Sequence, residues 1–246
     1  MTASALAWRH YRLERKMFWR NPTAAFFSFV LPLLFLFLFG AISSTANLKI
    51  IVPGIAGLSV MATTFNALAN QMTFLRDAGV LKRMHGTPLP GGSYLAGVLG
   101  NAATNAVVQV GIVVLASRFV FDLGWPKNWL DLVVFTLLGV ACFASLGVAF
   151  SHVIPNFEAA PAYTNIIFLP MIFISGVFYD ASNVPAFLRD IADALPLVHV
   201  INGFQGALVT GAGLNDLLSD IAVLVLWTAL GVWGAIRGFR WDASSG

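Results

Sequence analysis

Charged side chains are scarce in this sequence. Only 10% of its 246 residues are Asp, Glu, Lys or Arg, whereas 58% are hydrophobic. An average soluble domain carries roughly 25% charged residues. The composition therefore argues against a soluble protein, and it leaves little room here for a soluble catalytic domain.

Groups that bind metals or catalyse reactions are also few. A single cysteine, Cys142, cannot close an internal disulfide and has no neighbouring cysteine with which to hold a metal. The sequence contains no G-x-x-x-x-G-K-[ST] phosphate-binding loop. The four histidines lie far apart and show no metal-ligand spacing: His10, His85, His152 and His199. We therefore expect no catalytic residue, no metal and no bound cofactor, and we expect that this chain does not hydrolyse ATP by itself.

The sequence contains instead several long runs of apolar residues. The run from Ala24 to Ile42 contains no charge, and a helix of roughly 20 apolar residues crosses a hydrocarbon layer of ~30 Å. Five further runs follow, so the sequence predicts an all-α, polytopic membrane protein that forms one domain over residues 1–246. The six predicted spans are 23–43, 50–72, 93–117, 129–151, 159–179 and 216–237.

The distribution of basic residues predicts the orientation. With the N-terminus placed inside, ten of the fourteen Lys and Arg residues lie on the inner side of the membrane. Short cytoplasmic loops are enriched in Lys and Arg. We therefore predict a multi-pass protein of the cell membrane with both termini in the cytoplasm.

Residues 1–20 predict an amphipathic helix at the inner membrane interface. Leu6, His10, Leu13 and Met17 share one helical face, whereas four basic residues share another: Arg9, Arg12, Lys16 and Arg20. A cleaved signal peptide is the alternative. The apolar run that follows is too long for a usual signal peptide, and more spans follow it.

Two segments between the predicted spans have sequence patterns that predict helices instead of simple loops. The inner loop 74–94 can form a short amphipathic helix at 74–86, with Phe74 and Leu81 on an apolar face and Arg76, Asp77 and Arg83 directed elsewhere. A solvated loop whose charges only set the topology is an equal alternative. The outer segment 181–211 contains apolar stretches of a length typical of re-entrant half-helices.

Polar residues form stripes on two predicted spans. Amides are costly against lipid tails, so both stripes should face protein or water. They either line a substrate path or hold helices together through hydrogen bonds, which are worth about 0.6 kcal/mol each in membranes. The amides concerned are Asn66, Asn70, Asn101, Asn105 and Gln109.

Several short motifs occur together in order along the chain. The inner loop contains Leu81-Lys82-Arg83-Met84 and Thr87-Pro88-Leu89-Pro90. Farther along come Ser175-Gly176-Val177-Phe178 and Leu195-Pro196-Leu197. This ordered set resembles ABC type-2 exporter permeases, and most closely the bacterial drug-exporter permeases of the daunorubicin-resistance kind. One departure is Gln205, which lies near a position where many relatives carry arginine.

The resemblance implies a mechanism and partners. A permease of this family would pair with a second copy or a sister permease and bind two cytoplasmic ATP-binding cassette subunits, which would hold ATP and Mg. Spans one and five would meet at the seam between the two permeases. The helix at 74–86 would couple the ATPase to the spans through Phe74, Arg76, Asp77, Leu81, Lys82 and Arg83. The half-helices of 181–211 would form an outer gate containing Pro185, Phe187, Leu195, Pro196 and Gln205.

The expected function is therefore drug efflux, or export of a lipid or a lipid-linked glycan, with membrane lipid as a further partner and no nucleic acid. A secondary transporter or channel with a polar path along spans two and three is the alternative. The absence of a charged residue in the middle of the spans favours the exporter, because ion-coupled pumps usually need such groups.

Overall fold

The computed structural model describes residues 2–85, 91–179 and 185–238. Residues 86–90, which were expected to end the helix predicted at 74–86, lie outside the described residues. So do residues 181–184 at the start of the outer segment and Arg240 among the inner basic residues.

The described residues form helices joined by short connections and contain no strand. A π-helical turn, Ala62–Asn66, joins the third and fourth helices, and a second one, Gly206–Thr210, follows the tenth. The helices are α1 Ala3–Arg20, α2 Pro22–Ile42, α3 Thr45–Met61, α4 Ala67–Asp77, α5 Val80–His85, α6 Gly91–Phe121, α7 Trp129–Phe150, α8 Ala160–Ile174, α9 Ala186–Ala194, α10 Pro196–Gln205 and α11 Leu218–Gly238.

Five helical segments of the described chain are long and apolar enough to cross a membrane, which makes this a multi-pass membrane protein. They are Ala25–Ile42, Thr45–Asp77, Gly91–Phe121, Trp129–Phe150 and Leu214–Arg237. Each corresponds to one of the predicted spans.

The fifth predicted span, 159–179, is shorter than expected. Helix α8 has 15 residues, which is about 22 Å at 1.5 Å per residue. It ends because Gly176 adopts a φ of 71°, a left-handed conformation that ends a helix. The predicted count of six full-length spans is therefore not confirmed.

The second predicted span, 50–72, is longer than expected. The continuous helix Thr45–Asp77 has 33 residues, or about 50 Å, which exceeds a hydrocarbon layer of ~30 Å. Its α4 end therefore projects beyond the hydrocarbon layer if its α3 end lies at the opposite surface.

The core lies where α10 inserts between α3 and α7. Phe135, Phe143 and Phe204 are fully buried there. Gly57 of α3 leaves room for Ile201 of α10, because a Cβ at Gly57 would lie 2.9 Å from Ile201 Cγ1. Helix α10 thus contacts α3 well inside the bundle, at the thirteenth residue of the 33-residue helix.

Helix α1 packs along the first half of α6. His10 and Tyr11 lie against Gly97, where a Cβ would be 2.6 Å from the His10 ring. The basic residues Arg9, Arg12, Lys16 and Arg20 are all exposed. Leu13 and Met17, on the predicted apolar face, are also exposed, which leaves this part of the face available to lipid.

Candidate functional site

The inner loop is two helices rather than one. Helix α4 continues to Asp77, the chain turns at Gly79, and α5 begins at Val80. Gly79 has a φ of 65°, and a side chain would strain this left-handed conformation. The prediction of a single helix at 74–86 is therefore wrong. The chain breaks at Gly79, and Phe74 and Leu81 lie on different helices.

Leu81 holds α5 against the bundle. Its side chain is buried in a cluster with Leu68 and Met72 of α4 and with Tyr94 and Val98 of α6. Helix α5 has only six residues and would not be stable alone. The packing of Leu81 therefore fixes the position of the two exposed basic residues that follow it.

Arg76 does not point outward, as the sequence had suggested. Its side chain is buried, and its guanidinium donates hydrogen bonds to three backbone carbonyls of the segment 151–155. Nη1 lies 2.9 Å from Ser151 O, and Nη2 lies 2.7 Å from Ile154 O and 3.3 Å from Pro155 O. Arg76 therefore fastens the end of α4 to the connection between α7 and α8.

Asp77 and Phe74 strengthen this junction. The Phe157 backbone N–H donates to Asp77 Oδ2 at 2.5 Å, and the Phe74 ring meets the Phe157 ring edge-on at a centroid distance of 5.1 Å. A shallow cavity of about 490 Å³ lies between them, lined also by Ala78, Asn156 and Glu158. The sequence did not predict that residues 151–159 take part in this junction. The turn residues Pro155-Asn156 were the one available signal that a connection lies there.

Lys82 and Arg83 complete this end of the molecule. Both are exposed on α5. The Arg83 guanidinium folds back over the chain reversal, with Nη2 3.2 Å from Ala78 O. We use "inner surface" for the area formed by Phe74, Asp77, Lys82, Arg83 and residues 156–158. It combines exposed aromatic rings with charges of both signs.

A buried carboxylate in α1 was missed by the sequence analysis. Glu14 is only 5% exposed, and it accepts a hydrogen bond of 3.2 Å from Gln71 Nε2 of α4. Glu14 Oε1 also lies 3.2 Å from His10 Nε2. This network links α1 to the end of the helix that carries the inner surface.

The amide stripe of span two makes local and interhelical contacts. Asn70 Nδ2 donates to Asn66 Oδ1 and Asn66 O, both at 2.7 Å. It also lies 3.4 Å from Thr164 Oγ1 of α8. These contacts are of the kind expected for amides that hold helices together.

The stripe of α6 faces α1 and α2. Arg15 Nη1 lies 3.4 Å from Asn101 Oδ1 and also donates to Asn105 Oδ1. Gln109 Nε2 donates to Phe29 O at 3.2 Å. Asn101 and Asn105 also line a cavity of about 110 Å³ that Thr63 and Gln71 reach as well. The structure thus brings one polar stripe beside a small cavity, and a role in a substrate path stays a prediction.

The predicted outer-gate residues lie on and beside α9 and α10. Pro185 and Phe187 are exposed, Leu195 and Gln205 are half-buried, and Pro196 is buried. Trp227 Nε1 of α11 donates to Ala194 O at 2.9 Å. This bond joins the α9–α10 turn to the middle of α11 and so fixes the position of the hairpin relative to that helix.

A histidine in α10 forms a buried ion pair that the sequence analysis also missed. His199 Nδ1 lies 2.8 Å from Asp220 Oδ1, and Nε2 lies 2.9 Å from Asp193 O. Asn202 Nδ2 donates to the same Asp220 oxygen at 2.9 Å. Both ring nitrogens face acceptors, so only an imidazolium donates to both.

The electrostatics of His199 agree with this geometry. Burial by itself lowers the pKa of His199, but the hydrogen bonds to Asp220 and to the Asp193 carbonyl, together with the charges of both carboxylates, raise it above the ordinary value. The protonated form therefore joins α10 to the first turns of α11 and to the end of α9.

No group of three or more His, Cys, Asp or Glu side chains suited to a metal ion occurs in the described part of the chain. The arrangement is one of packed apolar helices, a charged inner surface and a hairpin whose second helix, α10, is buried.

Comparison with known proteins gives a family match over most of the chain. A family model described as "ABC-2 type transporter" matches residues 4–209, from α1 to the π-helical turn after α10. This range contains the inner surface and the α9–α10 hairpin.

The individual relatives are distant in sequence, but their matches extend over most of this chain. "Inner membrane transport permease YadH" of Escherichia coli (strain K12) is 23% identical over 209 residues, which cover 82% of this chain and 80% of the relative. "Nodulation protein J" of Rhizobium leguminosarum bv. viciae is 26% identical over 194 residues, or 76% and 72% of the two chains. "Linearmycin resistance permease protein LnrN" of Bacillus subtilis (strain 168) is 22% identical over 187 residues, or 75% of this chain and 48% of the relative.

Proposed function

The chain belongs to the ABC-2 type transporter family, and we propose that it is the transmembrane subunit of an exporter worked by separate ATPase subunits. In this proposal two ATP-binding cassette subunits bind the inner surfaces of a pair of permeases. ATP and Mg²⁺ bind to those subunits, because this sequence lacks a phosphate-binding loop.

The junction made by Arg76 carries this proposal. The inner surface lies at the end of the continuous helix Thr45–Asp77, and Arg76 fastens that helix to the connection that leads into α8. A partner that binds the inner surface differently in two states would therefore shift two membrane-associated helices together. A ligand moves a conformational equilibrium only through such a difference in affinity.

The chemistry of the inner surface suits a protein partner. Exposed aromatic rings often supply most of the binding energy of an interface, and Phe74 is 48% and Phe157 43% exposed. Lys82 and Arg83 beside them favour a partner whose groove has an acidic rim.

The same elements support the orientation that we propose. Helix α1, the α4–α5 turn and the end of α11 lie at one end of the bundle, because α1 packs on the start of α6 and Ile236 of α11 lies near Gly91. That end carries most of the basic residues, so we place it, with both termini, in the cytoplasm. The α9–α10 hairpin then enters from the outer side as a re-entrant pair.

The substrate class is an amphipathic drug, a lipid or a lipid-linked glycan. Support comes from the apolar character of the bundle and from a relative named as a linearmycin resistance permease. The direction of transport is outward in this proposal.

Exposed residues of the inner surface provide the direct test. The chain is expressed with its ATP-binding cassette partner, and co-purification of the ATPase and ATP-dependent efflux are measured for Phe74→Ser and Arg83→Glu. Removal of an aromatic anchor typically weakens an interface by about tenfold or more, so both readouts should fall while membrane insertion is retained. Arg118→Gln is the matched control, because Arg118 lies at the other end of α6 and pairs with Asp122.

Arg76→Gln tests the junction itself. We expect the ATPase to remain bound, whereas ATP hydrolysis should no longer drive efflux. Normal ATPase binding and efflux in Phe74→Ser and Arg83→Glu, or normal efflux in Arg76→Gln, would contradict the proposal. Transport by vesicles that lack any ATPase would instead favour the secondary transporter.

A further inference from the structure

A small polar cavity lies among α1, α2, α4, α6 and the π-helical turn Ala62–Asn66. Its volume is about 110 Å³, roughly the space that three or four water molecules occupy in the liquid. An exposed residue, Ala67, forms part of its wall, which leaves a route from the surface of the bundle. All of the polar side chains that line it are uncharged: Ser28, Thr63, Gln71, Asn101 and Asn105.

An arginine of α1 fixes the orientation of the two asparagines on the α6 wall. Arg15 Nη1 lies 3.4 Å from Asn101 Oδ1 and also donates to Asn105 Oδ1. A guanidinium can only donate, so the carbonyl oxygens of both amides turn toward it. The Nδ2 groups of the two asparagines form no hydrogen bond within the described part of the chain. This wall of the cavity therefore keeps two amide donors in reserve.

A glutamate of α1 fixes the amide on the α4 wall in the reverse sense. Gln71 Nε2 donates to Glu14 Oε2 at 3.2 Å. A carboxylate accepts hydrogen bonds, so the amide nitrogen of Gln71 has to face it. Gln71 Oε1 is then left without a partner among the described residues. The α4 wall thus offers an acceptor, whereas the α6 wall offers donors.

A second acceptor close to the cavity is also unused. Gln109 is fully buried one helical turn beyond Asn105. Its Nε2 donates to the carbonyl oxygen of Phe29, a residue of the cavity wall, but its Oε1 has no hydrogen-bond partner among the described residues. Buried polar atoms normally have a protein, water or ligand partner. Thr63 on the same wall belongs to a π-helical turn, and such turns often occur at functional sites.

We propose that this cavity binds a neutral, hydroxyl-bearing group of the transported molecule. A hydroxyl both donates and accepts, so it can bind the amide donors of Asn101 and Asn105 and the acceptor of Gln71 together. A phosphate or a carboxylate only accepts and would face the Gln71 oxygen without a proton to share. An ammonium only donates and would face the two asparagine donors.

The cavity has room for the polar end of a ligand only. A volume of about 110 Å³ does not hold a whole amphipathic molecule, so the apolar remainder of the ligand would lie outside, beyond the exposed wall at Ala67. This division agrees with the amphipathic substrate of the proposed function, on which the inference rests. It narrows that substrate to one whose polar end carries hydroxyl groups and no charge.

Three small amphiphiles with the same chain length separate these chemistries. 1-Octanoylglycerol carries hydroxyl groups, octanoate carries a carboxylate and octylamine carries an ammonium. The midpoint of thermal unfolding of the purified full chain is measured in detergent while each probe is titrated. A ligand that binds the folded form alone raises this midpoint, by roughly 2–4 °C at about tenfold above its dissociation constant. We expect this rise for 1-octanoylglycerol and not for the two charged probes.

Leucine substitutions of the amides test the site. Asn105→Leu removes one donor with little change in side-chain size, and it should weaken the apparent affinity for 1-octanoylglycerol about tenfold. Asn101→Leu is the second variant, because it leaves Asn105 in place for Arg15 and disturbs the fold less. Asn47→Leu is the matched control, since Asn47 is exposed at the opposite end of the helix Thr45–Asp77. It should keep the affinity of the parent chain.

Equal shifts with all three probes would overturn the proposal, and so would parent-like affinity in both Asn101→Leu and Asn105→Leu. The absence of any shift in the parent chain would assign the cavity to water alone. Co-purification of the ATPase is measured in parallel. A failure of probe binding with the ATPase still bound counts against this inference, whereas a parent chain that does not bind the ATPase counts against the proposed function.

Discussion

Glu14, Arg76 and Asp220 are charged residues that the fold holds almost entirely away from water. Their exposed fractions are 5%, 8% and 7%. A buried charge is tolerated when it is paired and hydrogen-bonded, and each of these three is: Glu14 with Gln71, Arg76 with three carbonyls and Asp220 with His199. Each of these contacts joins different elements of the fold, so the three side chains hold those elements together.

His199 gives the protein a stability that depends on pH. Its pKa in the folded chain is raised, so the stabilisation is fully present below the unfolded pKa of about 6.5 and is lost as pH rises through the folded value. A hydrogen bond to a charged group is worth about 2 kcal/mol, and the midpoint of thermal unfolding in detergent should fall as the pH is raised. In His199→Gln this slope should disappear.

Asp216→Asn serves as the control for that measurement, because Asp216 caps the turn before α11 and does not contact His199. It should keep the slope of the parent chain. An unchanged slope in His199→Gln would show that another group titrates.

Residue types were easier to predict than residue partners. The sequence marked Arg76 as important but placed it outward, because a helical projection of 74–86 assumes that no break occurs at Gly79. Glu14 was treated as part of a basic helix, and its partner Gln71 lies 57 positions away in sequence. Such pairings depend on how the helices pack against one another. The periodicity of residues along a single helix carries no information about that packing.

At the scale of elements, apolar run length predicted the helices well. Four of the predicted spans agree with the structure to within a few residues, since a run of apolar residues flanked by charge is a strong signal. The ends of two were wrong. Helix α8 ends early at Gly176, and the helix Thr45–Asp77 continues past the apolar run because nothing before Ala78 breaks it.

Helix α7 lies in close contact with the π-helical turn Ala62–Asn66, and this contact leads to a second prediction. A Cβ at Gly147 would lie 2.7 Å from Phe65 O and 3.0 Å from Phe65 Cα. Gly147→Ala must therefore push the two helices apart, and overpacking of this kind costs about 1–3 kcal/mol. Thermal unfolding in detergent should show a lower midpoint.

Gly111→Ala is the matched substitution for Gly147→Ala. Gly111 also lies within a long helix, but a Cβ there meets no atom within 4 Å. Alanine stabilises a helix by about 0.5–1 kcal/mol relative to glycine, so this variant should unfold at a slightly higher temperature. A similar loss of stability in both variants would mean that the close approach of Gly147 to Phe65 is not the cause of the loss.

At the scale of the molecule, the helices α2, α8 and α11 expose apolar side chains. The span of α2 is 22% buried and that of α11 is 17% buried. Leu34 of α2, Ile166 of α8 and Leu226 of α11 are all exposed. The family resemblance places the seam between two permeases at spans one and five, which correspond to α2 and α8.

Cysteine cross-linking decides which face forms the seam. Cys142 is buried and is first replaced by alanine, so that single cysteines can be introduced without a competing thiol. Two differently tagged chains, Leu34→Cys and Ile166→Cys, are expressed together and oxidised in the membrane. A disulfide requires the two Cα atoms to approach within about 7 Å, so a product of twice the mass that carries both tags forms only if α2 and α8 of different chains meet. Replacing Leu34→Cys by Leu226→Cys should give none. The reverse result would place the seam on α11.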